Sequence, residues 1–367
     1  MNAQPVTAVL RHPAAYSGDA FAYSLPGGFA KAASWPKTTR NATSPTHGTP
    51  PEHDRERTLI VTDVTSDLPP DWLAGNQVVV LPIKLRFDSR SRSDTGDITA
   101  AREFFRRDLD GIGADAQALP LSASGTQDYI YERLQPQTDF VLEVSLASHR
   151  GNGYMNSLTA AQNLMLTHGR ARRQVGVQRP FKMWVVDSTT TLNGQGVLVA
   201  ESVRALKDGM SLPRVVQHID ALRKRVHTIM VPRDVSFFHR HSRVDSDVTF
   251  HWLSYGVGKV LDRTPIVHAH GNTQTIAAQA RSHEAAATRA LTATAQQVRA
   301  GLLAPNVCMS YAGDVNEVRA WPAFTALEDV CVRHGVALHL ATMSMTNALA
   351  IGRDGLAISF AGESVAV

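Results

Sequence analysis

The chain has 367 residues, of which 43% are hydrophobic and 19% charged, enough for one large or two medium domains with a substantial core and too apolar for disorder throughout. The formal net charge of +4 comes from Lys and Arg spread along the chain without a block of like charge, which gives little support to a nucleic-acid or membrane-surface role. Two cysteines, Cys308 and Cys331, lack CxxC spacing; this argues against a disulfide framework or a Cys-rich zinc site and fits a reducing compartment such as the cytoplasm. No apolar run reaches the ~18 residues of a membrane span, and no charged start followed by an apolar stretch marks a secretory signal.

Residues 1–57 read as a flexible tail, with scattered Pro, Gly, Ser and Thr and little periodicity. Order is expected from Thr58. Thr58–Thr62, Val78–Ile83, Phe140–Val144 and Lys182–Val186 are short apolar runs of the kind found in buried parallel strands. Helical spacing covers Ile98–Leu109, Thr126–Leu134, Asn156–His168 and Gly196–Lys207. Strands alternating with helices imply a doubly wound parallel sheet over 58–212.

The second half, 213–367, is less regular and reads as a smaller mixed-sheet α/β lobe, with the boundary near Leu212-Pro213. Leu212–Arg225 is expected to be helical and Thr228–Val231 a strand. Ile266–His270 and Thr273–Ala277 flank Gly271-Asn272, a hairpin signal. Ala285–Arg299 and Glu317–His334 read as helices, and Val307–Tyr311, Val336–Leu340 and Leu356–Phe360 as strands.

In a doubly wound sheet, ligands bind beyond the carboxyl ends of the strands. Three polar loops fall there. In the first, Pro120–Gln127, Ser122 and Ser124 lead into a helix, and Ser124 with Gln127 has capping-box spacing. Such an entry presents free N–H groups to a carboxylate or phosphate, although a plain cap is the commoner meaning. In the second, Ser148–Tyr154, Asn152 lies between Gly151 and Gly153, which permit close backbone approach. In the third, Asp187-Ser188 follows a strand, where Asp187 either orients nearby hydroxyls or caps the next helix. No GxSxG, P-loop or HExxH motif occurs. His239, His241, His251, His268 and His270 invite a metal reading, with Asp245 and Asp247 nearby. The absence of an accompanying Cys favours ordinary surface or core histidines.

With these loops in view, the chain resembles the DegV family of fatty-acid-binding proteins from about Thr58 to its C-terminus. Ile60-Val-Thr-Asp63-Val-Thr-Ser-Asp67-Leu-Pro69 is similar to the family's opening TDSTSDLP, and Val79-Val-Leu-Pro-Ile83 to its second strand. Val186-Asp187-Ser188 followed by Gly194-Gln195-Gly196 resembles its VDS…G-G segment, and Asp262-Arg-Thr-Pro265-Ile-Val its IKPIL. The headgroup loops differ: TSQPS is Ser122-Ala-Ser-Gly-Thr126 here, SGTYQSA is Gly151-Asn-Gly-Tyr-Met-Asn-Ser157, and the late H-x-GPG loop corresponds to Met343–Asn347.

The resemblance implies a two-lobe binding protein, not an enzyme, with no cofactor and no metal. A fatty acid's tail would lie in an apolar tunnel of the first lobe, with its carboxylate at the lobe interface, where a partner fatty-acid kinase could act on it. Burying about fifteen methylenes at roughly 0.8 kcal/mol each gives a gross gain on the order of 12 kcal/mol. The carboxylate then needs donors. The expected ligand contacts are Ser122, Ser124, Asn152, Gly153, Asp187, Ser188 and Arg281. Two alternatives stand beside this: an enzyme acting on a small polar substrate with Asp187 and His149 as the acid–base pair, and a regulatory protein without a ligand.

Overall fold

The computed structural model describes residues 57–241 and 263–363, which lie within one compact unit. Residues 1–56, and with them nearly all of the expected tail, fall outside the described residues, as do Asp245, Asp247, His251 and Asp262.

The chain begins with β1 (Thr58–Asp63), α1 (Pro70–Gly75) and β2 (Val79–Leu81). Pro82 then ends the strand, because it has no N–H to continue a ladder. Val78–Ile83, expected as one strand, is therefore two. From Ile83 the chain leaves for a separate antiparallel sheet of β3 (Ile83–Phe87), β4 (Arg90–Asp94) and β5 (Gln117–Pro120), in the order β4-β3-β5, with α2 (Ile98–Arg107) between β4 and β5. It returns through α3 (Ala123–Tyr131), β6 (Phe140–Ser145), α4 (Gly153–Gln174) and β7 (Lys182–Asp187). The sheet β2-β1-β6-β7 is parallel throughout, as the alternation of strands and helices requires.

After α5 (Gly194–Lys207) and α6 (Leu212–Leu222) comes the second sheet, of order β10-β9-β8-β13-β11-β12. Its elements follow as β8 (Val226–Val231), α7 (Val235–His241), β9 (Thr264–His270), β10 (Thr273–Ala280), α8 (His283–Ala300) and β11 (Asn306–Tyr311). They continue as α9 (Val315–Arg319), α10 (Pro322–His334), β12 (Ala337–Thr342), α11 (Met345–Ile351) and β13 (Leu356–Ala361). The sheet is mixed: β11 runs parallel to β12 and antiparallel to β13. The β9–β10 hairpin pairs His270 with Thr273 across Gly271-Asn272, and Gly271 takes a φ of 55°. The helix expected over Glu317–His334 is split, because Trp321 ahead of Pro322 is extended and Pro322 starts a new helix.

The element that joins the two sheets is α5. Val197, Leu198, Val199, Ala200, Val203, Ala205 and Leu206 make it apolar on every side, and almost the whole helix is buried. It packs against β1 and β6 on one side and β8, β11 and β13 on the other. Two amides at its start fix it. Asn193 donates to the carbonyls of Cys308 (3.0 Å) and Ala357 (3.2 Å) and accepts from Ser359 Oγ (2.7 Å), all in the mixed sheet. Gln195 Nε2 lies 2.7 Å from Thr62 Oγ1, 2.9 Å from Val144 O and 3.1 Å from Asp63 Oδ2, all in the parallel sheet. Between them the backbone approaches so closely that a Cβ at Gly196 would stand 2.4 Å from Ser66 O.

Further buried polar ties join the first lobe to α11. Asp94 Oδ2 accepts from Thr346 N (2.8 Å) and Thr346 Oγ1 (2.7 Å). Asp67 accepts from Ser344 N (2.8 Å) and Asn347 Nδ2 (2.9 Å), and Asn347 Nδ2 also reaches Thr65 O (2.9 Å). At the far end of the parallel sheet, buried Asp139 is shared by Arg57, Arg172 and Arg179. Arg172 is 1% exposed, and such a charge is tolerable only when paired. Among the described residues no helix is long and apolar enough to cross a membrane.

Two outcomes are expected from this packing. Gly196→Ala forces the α5 backbone away from Ser66 and lowers unfolding free energy by about 1–3 kcal/mol in denaturant titration, a cost typical of overpacking. Asp94→Ala strands the buried Thr346 donors and costs about 1–3 kcal/mol in the same assay.

Candidate functional site

Four acids are buried around the end of β1: Asp63 at the strand end, Asp67 after the turn that follows, Glu143 within β6 and Asp94 at the end of β4. Asp63 closes β1 and caps the short turn after it: Oδ1 accepts from Thr65 N (2.9 Å) and Thr65 Oγ1 (2.5 Å). Its Oδ2 accepts from Leu146 N (2.9 Å) and Gln195 Nε2 (3.1 Å), so both oxygens are occupied. Glu143 lies within β6, in register with Val61 of β1 and Val185 of β7. It is 1% exposed because helices cover both faces of a parallel sheet. Its Oε1 accepts from Ser157 Oγ in the second turn of α4 (2.5 Å), while Oε2 has no partner.

Burial dominates the titration of all four. It raises Asp63 and Asp94 above the usual carboxylate range, pushes Asp67 up to about 7, and pushes Glu143 up to about 8 with help from the neighbouring Asp63 charge. Glu143 therefore carries its proton at neutral pH. Among the described residues, no group of three or more His, Cys, Asp or Glu side chains is arranged to hold a metal ion. His227, His268 and His270 instead stack on one another along β8 and β9, with His227 Nδ1 3.0 Å from His268 Nε2 and His227 lowered to about 4, mainly by burial.

Beside Glu143 lies a small cavity. Asp63, Glu143 and Ser157 form part of its polar wall, Ile83 and Leu121 part of its apolar wall, and Gly153 closes one side. Its volume is about 20 Å³, room for about one water molecule and far less than the elongated tunnel that the resemblance implies beside Ser122 and Asn152.

Of the residues expected from sequence, Gly153 lines this cavity, and a Cβ there would sit 3.4 Å from Pro120 Cγ. Ser122, not Ser124, is the cap of α3: its Oγ accepts from Gly125 N (3.1 Å), which corrects the capping-box reading. Ser124 lies 3.1 Å from Ser122, and both are exposed. Asn152 is exposed at the start of α4 without a side-chain cap bond. The two loops are tied together, since Asn156 Nδ2 donates to Leu121 O (2.8 Å). Asp187 Oδ1 accepts from Ser148 N (3.1 Å) and Thr189 N (2.9 Å), and Ser188 is buried against Thr190 N. Arg281 is exposed in the β10–α8 turn, on the mixed sheet, and does not line the cavity. Sequence reasoning passed over Asp63, Glu143 and Ser157 as site residues. The visible signal was a lone acid inside the apolar strand Phe140-Val-Leu-Glu143-Val.

Comparison with known proteins matches this architecture. A family model described as "Uncharacterised protein, DegV family" covers residues 57–363. A DegV domain-containing protein of Xanthomonas campestris is 28% identical over 304 residues, 83% of this chain and 97% of the relative. Among solved structures, DegV of Bacillus subtilis, described as a fatty acid binding protein, superposes with a TM-score of 0.63 at 16% identity, covering 84% of this chain and 99% of that one. A Thermus thermophilus DegV family protein, described by its fatty acid binding, gives 0.61 at 19% identity, over 84% and 100%. The two-lobe α/β architecture and the family model's reach across the described residues agree, and the chain belongs to the DegV family.

Proposed function

We propose that the chain binds a long-chain fatty acid, with the headgroup at the junction of α3 and α4 and the tail between these helices and the parallel sheet. The observation that carries this reading is the meeting of two helix entries at one cavity with a polar floor and an apolar wall. Helix entries supply N–H donors and a positive dipole end to a carboxylate. Ser122, Ser124, Asn152 and Gly153 are the proposed headgroup contacts, with Asp187 and Ser188 shaping the adjoining loop. Arg281 has no part in it. The lobes divide near Leu212-Pro213 in this reading. What the names of the solved relatives say they bind supports the same ligand class.

The tail needs space that the packed lobe does not hold open. Between α3, α4 and the sheet lie Val61, Ile130, Val141, Ala161, Leu164 and Met183. An acyl chain enters by parting this cluster, exchanging side-chain contacts for contacts with its own methylenes. Apolar side chains exposed on the same helices, Tyr131, Met155 and Leu166, offer it a greasy approach. The gross gain of roughly 0.8 kcal/mol per methylene is reduced by the cost of opening and by association entropy. The role is sequestration, not catalysis: Asp187, the acid of the enzymatic alternative, has its Oδ1 committed to two backbone amides. The free thiols Cys308 and Cys331 fit a cytoplasmic setting, where a separate kinase would act on the presented carboxylate.

Mass spectrometry of the denatured, freshly purified protein is expected to release a fatty acid in near-stoichiometric amount. No lipid released and no displacement of a fluorescent fatty acid would refute the reading. Ser122→Ala should weaken binding about five-fold, the loss of one hydrogen bond of roughly 1 kcal/mol. Ala161→Leu, which fills the proposed tail space from α4, should weaken palmitate far more than octanoate in the same displacement assay.

A further inference from the structure

Glu143 is the one acid of the four with an oxygen left over. Asp63, Asp67 and Asp94 have both oxygens engaged. Glu143 Oε2 is buried without a partner in a side chain that lines the cavity. A buried polar atom left so costs free energy unless something completes it. We propose that Glu143 holds a proton that it donates to the ligand's headgroup oxygen, so that the site takes a carboxylate as a proton-sharing acid pair; this rests on the fatty-acid reading above.

The side chains that line the cavity bring no positive charge to an anion. Asp63 presents an acid to the same cavity, and two ionised carboxyls there would repel a third. A protonated Glu143 removes one charge and supplies a strong donor, an O–H to a carboxylate. Ser157 orients the group by donating to Oε1, which directs the acidic proton to Oε2.

The groups facing Glu143 from other elements do not provide a counter-cation. On β1 the nearby group is Asp63, whose charge acts to raise Glu143. On β7, Asp187 lies at the strand end and is held by backbone amides. On α4, Tyr154 is raised by burial first and by the Asp187 charge next, His168 packs on Phe181, and Arg172 is committed to Asp139. Gln195 of α5 and Thr126 of α3 are neutral, Glu201 of α5 is paired with Arg204 and His218, and Asp128 of α3 and Lys84 of β3 are exposed. Burial with no cation nearby pushes Glu143 up to about 8, which keeps the donor proton in place at neutral pH.

The test is fluorescence titration with cis-parinaric acid from pH 6.5 to 9.5. Wild-type affinity is expected to fall about tenfold per pH unit above the Glu143 value, as a required proton is lost. Glu143→Gln keeps an N–H at every pH, so its affinity should not follow that slope. Ser157→Ala, which removes a bond that favours the ionised form, should move the onset to higher pH. Thermal melts check the same proton independently. Between the unfolded value near 4.5 and the folded value near 8 the native state binds the extra proton, so wild-type stability falls as pH rises. The melting-temperature advantage of Glu143→Gln should therefore grow across that window and level off above it. Identical pH profiles of binding in wild type and Glu143→Gln would overturn the shared proton while leaving fatty-acid binding intact. A folded wild type that binds no fatty acid at any pH would overturn both.

Discussion

One buried helix start sets the architecture. Asn193 fastens α5 to the mixed sheet and Gln195 fastens it to the parallel sheet, two residues apart. Each amide satisfies backbone carbonyls or hydroxyls that would otherwise be stranded between two cores. The glycines on either side of Gln195 follow from the same constraint, because a Cβ at Gly194 would meet Thr190 Cβ at 2.8 Å and one at Gly196 would meet Ser66 O at 2.4 Å. Both sheets are thus referenced to a single turn of helix, and the ends of β1 and β6, where the candidate site lies, take their positions from it.

The site inherits its character from that geometry. Parallel strands covered on both faces have no water to offer a polar side chain, so the acids buried on and beside them meet other groups or keep their protons. Asp67 and Asp94 are answered from α11 and Asp63 from its own turn and from Gln195. Glu143 alone is half answered. A cavity of about 20 Å³ beside it is too small for an acyl chain, so in the proposed reading binding includes the work of opening. On that reading, exchange of ligand depends as much on the packing of α3 and α4 as on the headgroup contacts.

Much of this was legible in the residues. The runs Thr58–Thr62, Phe140–Val144 and Lys182–Val186 are β-branched and apolar enough to be read as buried parallel strands, and they pair as such. Gly271-Asn272 marked the hairpin turn, across which His270 pairs with Thr273, while the register shift between Ile276 and Ala278 carried no such signal. The antiparallel excursion was harder. Ile83-Lys-Leu-Arg-Phe87 alternates as a half-buried strand should, yet its partner Arg90-Ser-Arg-Ser-Asp94 is polar throughout and carries no apolar signal. The helix Met345–Ile351 is short and its start is fixed by Asp67 and Asp94, nearly three hundred residues away in the chain for the first, a dependence that local pattern cannot express. At the site, the loops before α3 and α4 were found because Ser and Gly mark helix entries. The acids beneath them were not, because a single Glu in a strand reads as an edge residue until the sheet around it is known.

Photo-crosslinking with a palmitate analogue carrying a diazirine midway along its chain tests the central claim most directly, that an acyl tail parts α3 and α4 from the parallel sheet. Peptide mapping should place the label within 123–131 or 153–174, on side chains such as Ile130, Ala161 or Leu164. Labelling concentrated on the mixed sheet or its helices, or labelling that excess unlabelled palmitate does not suppress, would contradict the account.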